Sequence, residues 1–159
     1  MTKNTNQISD TMKNETVVPL KYGFQIAISL IAYFLIVRLF NSHENPWLRL
    51  FNGVIMAHGI FLAIRSYKRR DTDGFTYFEG FKIGVKTGFL TTFVFVAFMG
   101  LYMFHVDPTF VDVVMADWKS EYDNGAGILI FVLLIEGITS TLVLTLTFMQ
   151  LFKKSWNVK

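Results

Sequence analysis

Apolar residues gather in four blocks along the chain, with polar and charged residues between them. The first block, centred on AISLIAYFLIV, predicts a helix from about residue 20 to residue 40. The second predicts a helix over 47–66, the third over 77–104 and the fourth over 127–152. Each approaches or exceeds the ~20 residues that cross a hydrocarbon core about 30 Å thick. The third, at roughly 28 residues, is longer than the bilayer requires and is expected to tilt or protrude.

The polar stretches complete the outline. Residues 1–19 are rich in Asn and Thr and read as a flexible cytoplasmic tail, with Pro19 where a helix can begin. Nineteen mostly polar residues ahead of the first block, and no small-residue cleavage site after it, argue against a secretory signal. Thr76 and Glu79 stand at the spacing of a capping box, in which each side chain satisfies a backbone N–H at the helix start. After the third block, Asp107 is a suitable N-cap and Pro108 a suitable first helical residue. Phe110, Val114, Trp118 and Tyr122 then recur every four residues, with Asp112, Asp117 and Glu121 off that stripe. This predicts a short interfacial amphipathic helix over about 108–123. The expected fold is all-α: a membrane four-helix bundle over 20–154 with that interfacial helix between helices three and four. A short cytoplasmic tail, 155–159, follows.

Charge sets the orientation. Of the 15 Lys and Arg residues, only Arg38, Arg49 and Lys119 fall on one side of the predicted spans. The rest, including Lys21, Arg65, Lys68, Arg69, Arg70, Lys153 and Lys154, fall on the other. Lys and Arg collect in cytoplasmic loops, so both termini and the 67–74 loop are expected in the cytoplasm. Trp47, Tyr102, Trp118 and Tyr122 then suit an outer aromatic belt, and Tyr22, Tyr67, Tyr77 and Trp156 an inner one.

In lipid the hydrophobic drive between helices is weak, and close backbone approach matters more. Helix three carries Gly80, Gly84 and Gly88 at intervals of four, which reads as a packing ridge. Helix four offers Gly137, Thr141 and Thr145 at the same interval. Polar residues inside the spans are fewer. Glu136 lies nine positions into helix four, roughly 13 Å along the axis. An intramembrane carboxylate is costly and points to a proton or cation site, or to an interhelical hydrogen bond with Arg38, Asn52 or Tyr102. His58 reads as a packed, hydrogen-bonded histidine or a proton relay. Lys82 and Lys86 share a face near the inner end of helix three. With Lys68, Arg69 and Arg70 they suit anionic lipid headgroups as well as topology. Lys86 also lies at a depth where it could approach His58.

Several chemistries are excluded. The chain has no cysteine, so disulfides and thiolate sites are out. The net charge of +3 is spread over span ends rather than along one exposed face, which argues against nucleic acid. No metal-ligand spacing, cofactor fingerprint or nucleophile motif stands in the sequence, so neither a cofactor nor an enzymatic activity is expected.

The stretch FTYFEGFKIGVKTGF (Phe75 to Phe89), followed by YMFHVDPTF (Tyr102 to Phe110), resembles a family of small bacterial membrane proteins, domain of unknown function 4199. Phe78, Glu79, Phe81, Lys82 and Gly84 occupy the family's "F-x-E-A-F-K-x-G" pattern, with Gly80 at the small position. Asp107 and Pro108 match its "D-P". The resemblance implies four spans in a bacterial cytoplasmic (inner) membrane and implies no activity. The sequence therefore leads to a structural, accessory or interaction role, with the lipid bilayer and either a second copy or another membrane protein as partner. The alternative is an oligomeric proton- or ion-coupled transport component using Glu136.

Overall fold

The computed structural model describes residues 2–40, 46–70, 75–114 and 125–152. These residues are helical almost throughout and hold no strand. The helices are α1 (Thr2–Leu39), α2 (Pro46–Arg70), α3 (Tyr77–Leu101), α4 (Thr109–Val114) and α5 (Gly125–Phe152). A π-helical turn, Tyr102–Val106, continues α3. The segments Asn14–Leu39, Leu50–Arg70, Tyr77–Val106 and Gly125–Phe152 are long and apolar enough to cross a membrane.

Two helices extend further than their apolar blocks. α2 runs on through Lys68, Arg69 and Arg70. α1 begins at Thr2 and passes through Pro19, so residues 2–19 are helical where the sequence predicts a tail. Pro19 donates no N–H and leaves the carbonyl one turn back without its usual partner. Neighbouring helices offset that loss. Val18 is buried with Ala63, Tyr67 and Ile83. Arg70 donates to the Asn14 side chain at 3.3 Å, and Lys86 stands 3.9 Å from Glu15. Extending an existing helix adds a hydrogen bond for every residue fixed, whereas a new helix must first form its nucleus. At the other terminus, the predicted tail from 155 lies outside the described residues. So does most of the predicted interfacial helix: α4 accounts for its start, while Trp118 and Tyr122 fall beyond.

α3 begins with the capping box. The Thr76 N–H donates to Glu79 at 2.8 Å, and the Glu79 N–H donates to the Thr76 hydroxyl at 3.3 Å. α3 packs against α1, α2 and α5. Its contact with α5 is built from small residues in register. A Cβ on Gly80 would stand 2.7 Å from the Met149 sulfur, and one on Gly84 2.5 Å from Thr145 Cγ2. One on Gly88 would collide with Thr141, and one on Gly137 would stand 2.5 Å from Thr92 Cγ2. The threonines thus fill the space that the glycines leave. α3 also meets α1 closely. Leu90 covers Gly23, and the Thr91 hydroxyl donates to the Gly23 carbonyl at 3.1 Å.

Three apolar clusters fill the spaces between helices. Ile26, Leu30, Met56, Ile60 and Ile64 lie in the middle, and the Val18–Tyr67 cluster lies at the basic end. Met99, Tyr102, Met103 and Phe110 form the third at the opposite end, with Phe34 against them. Phe34 meets Tyr102 and Phe110 edge-on, at centroid distances of 5.0 and 5.6 Å. Tyr67 and Tyr102, which the sequence places in aromatic belts, are both buried. Their rings complete the end clusters, where edge-on partners and helix packing replace the membrane surface.

Candidate functional site

Two polar constellations stand out in this apolar frame. The first is at the end of α1. Arg38 forms an ion pair with Asp107, and its Nε lies 3.3 Å from the Tyr102 hydroxyl. Its guanidinium also rests 5.5 Å from the Phe110 ring centre, close enough for a cation–π attraction. The other Asp107 oxygen accepts from the Thr109 hydroxyl and the Phe110 N–H. Thr109, followed by Arg38, holds the Asp107 carboxylate below its ordinary range. The π turn makes this possible: the Asp107 N–H donates to the Tyr102 carbonyl five residues back, which swings Asp107 towards α1. This is an end clamp, and the sequence offered one signal for it: Arg38 stands alone at the sparsely charged end of its span.

The second constellation lies midway along the helices. A cleft of about 90 Å³ opens between α1, α2, α3 and α5. Asn52, Thr91, Thr92, Glu136 and Ser140 give it polar groups. Leu30, Met56, Phe95 and Leu133 supply apolar walls. Glu136 is eleven residues after Gly125, about 16 Å along the α5 axis, so neither helix end supplies its surroundings. Ser140 is one turn further along the same face. Glu136 sits at the exposed rim rather than in the bundle interior.

The cleft has unfilled hydrogen-bonding capacity. Asn52 Oδ1 and Thr92 Oγ1 are buried there without a hydrogen-bond partner. Leaving such a group unsatisfied costs about 1–3 kcal/mol. Thr91 differs: its hydroxyl bonds the Thr87 and Gly23 carbonyls. Of the three partners the sequence suggests for Glu136, Arg38 and Tyr102 bond each other in the end clamp. Asn52 is the one that shares the cleft. Thr92 was legible in principle, since it continues the interval of four that runs through Gly80, Gly84 and Gly88.

The remaining predicted residues lie apart from the cleft. His58 is exposed on α2 rather than packed, because the helix turns Gly59 and Ile60 inwards and His58 outwards. Lys86 meets Glu15 rather than His58; the extension of α1 brings that carboxylate alongside α3. At the basic end Arg69 and Arg70 are exposed. Lys68 sits 5.1 Å from the Phe152 ring centre and 5.5 Å from that of Phe75. Lys82 sits 4.7 Å from that of Phe78. These cations lean on aromatic faces, with apolar stems along the helices. Among the described residues, no group of three His, Cys, Asp or Glu side chains is arranged to hold a metal ion.

A family model described as Protein of unknown function (DUF4199) matches residues 21–154. No curated protein and no solved structure matches the chain.

Proposed function

The chain belongs to that family, and from this premise we propose that it serves a structural, accessory or interaction role in a bacterial cytoplasmic membrane. Its four long apolar helices suggest a multi-pass membrane protein. The observation that carries the role is α5. Only 6% of its most apolar window is buried within the chain. α5 meets the bundle through a narrow stripe of Thr141, Thr145 and Met149, and leaves Leu142, Val143 and Leu146 facing outwards. That face suits a second copy or a larger membrane protein.

The absence of native cysteine makes the test direct. Single cysteines at Val143 and Leu146, oxidised in native membranes, are expected to cross-link to a partner. A cysteine at His58, on α2, serves as the control. Only monomer at both α5 positions would count against the role. The concentration of Lys and Arg near one end supports cytoplasmic termini; a reporter fused after Lys159 is expected to be active in the cytoplasm and silent in the periplasm. The exposed Arg69 and Arg70, with Lys68, Lys82 and Lys86 nearby in sequence, suit anionic headgroups at that surface.

The cleft favours a second reading, an oligomeric ion-coupled component in which Glu136 binds the coupling ion. Cation flux into proteoliposomes that is lost in Glu136→Gln supports this reading. Equal flux in both proteins removes it.

A further inference from the structure

We infer that the mid-helix cleft is a binding site for a single monovalent cation, with Glu136 as its counter-charge and Asn52 Oδ1, Thr92 Oγ1 and Ser140 Oγ as neutral oxygen ligands. This deepens the second reading above by naming the ligand, but binding requires no transport.

Three observations carry it. The first is chemistry of one kind. The polar groups that line the cleft are a carboxylate, an amide and hydroxyls. An amide oxygen only accepts, and a hydroxyl can turn to present its lone pairs. The two buried oxygens without a partner are met by an occupant that donates hydrogen bonds or carries positive charge, and the carboxylate disfavours an anion. Hard oxygen ligands suit alkali cations rather than soft metals.

The second is the unmet demand. Asn52 Oδ1 and Thr92 Oγ1 come from different helices, and both are buried in the cleft without a hydrogen-bond partner. Thr92 is held by its packing against Gly137, the neighbour of Glu136, so its position is coupled to that of the carboxylate. Glu136 has an interaction of its own. A carboxylate has about four lone-pair directions, so an interaction along one of them is compatible with a ligand along another.

The third is size and charge. A volume of about 90 Å³ is several times the ~10–15 Å³ that a single water requires. That admits an alkali cation together with part of its water shell. A divalent ion such as calcium takes about 6–8 oxygens, usually with several carboxylates, and this lining has one.

The test uses the purified full-length chain in detergent and dicyclohexylcarbodiimide, which modifies protonated carboxyls in apolar surroundings. Modification of Glu136 is followed by peptide mass spectrometry in sodium, potassium or choline chloride of equal ionic strength. In choline the residue is expected to be labelled. At a sodium or potassium concentration about ten times the dissociation constant, labelling is expected to slow about tenfold, following 1 + [L]/Kd. Thr92→Val, which keeps the side-chain shape against Gly137, is expected to weaken that protection, and Asn52→Leu to weaken it further. Equal labelling in all three salts overturns the inference, since only a proton then competes. Protection that Thr92→Val leaves unchanged also overturns it, because the cation then sits elsewhere, as does a Glu136 that stays unlabelled in choline. Protection without proteoliposome flux leaves the site standing and removes transport; failed protection leaves the interaction role untouched.

Discussion

Arg38 and Asp107 pair across 69 residues of sequence, joining the end of α1 to the π turn that follows α3. Both side chains are partly exposed, at 24% and 19%, and surface pairs of this kind contribute little unless several groups share them. Here Tyr102, Thr109 and the Phe110 backbone share them.

That clamp makes stability fall in acid. The folded state keeps Asp107 ionised more firmly than the unfolded chain does. Its contribution is complete above the ordinary carboxylate value of 3.8 and is lost as pH falls through the lower folded value. The acid limb of a thermal-unfolding profile in detergent is expected to flatten in Asp107→Asn. Arg38→Gln should flatten it only partly, because Thr109 still bonds the carboxylate. Identical acid limbs in all three proteins would contradict the assignment.

Gly84→Ala places a methyl group 2.5 Å from Thr145 Cγ2. Overpacking of this kind costs about 1–3 kcal/mol. Thr145→Ala removes the two nearest obstructing atoms and leaves the Ile64 side-chain end at 3.1 Å, so the double variant is expected to be more stable than the sum of the single effects by over ~0.5 kcal/mol. Strict additivity in denaturant titrations would place the α3–α5 contact elsewhere.

Thr91→Val removes the hydroxyl between α1 and α3 while keeping the shape. Interhelical hydrogen bonds in membranes average about 0.6 kcal/mol, so the variant is expected to lose less stability than Gly84→Ala. A larger loss would mean that Thr91 does more than bridge Gly23.

Thr76→Ala opens the capping box and is expected to cost about 1 kcal/mol. Glu79→Gln keeps an oxygen that can accept from the Thr76 N–H and should cost less. Amide hydrogen exchange in the first turn of α3 distinguishes the two.

The spans were legible because a long, nearly uncharged apolar run suits little besides a bilayer, and the capping box because its spacing is specific. The glycine ridge and its threonine partners share an interval of four, so their pairing follows once α3 and α5 are neighbours. The extension of α1 was not legible. Residues 2–14 have no apolar periodicity and are rich in poor helix formers; the contacts of residues 14–18 with α2 and α3 hold the extension instead. Tyr67 and Tyr102 were misleading because a tyrosine near a span end suits a membrane surface and an end cluster equally well. The cleft needed the assembled bundle. Asn52, Thr92 and Glu136 come from three helices, and no spacing within one segment announces their meeting.

α3 stands between α1 and α5, and this bears on how the protein is made. Helices leave the ribosome in order, so α1 and α2 must wait in the bilayer for the segment that joins them to everything else. Once α3 arrives, the first three can settle together while the last is still being synthesised. α5 then meets a finished wall of glycines and needs only to slide its threonines into place. A released chain truncated after residue 114 would keep both partners of the α1–α3 contact, while the cleft would lack the side that brings Glu136.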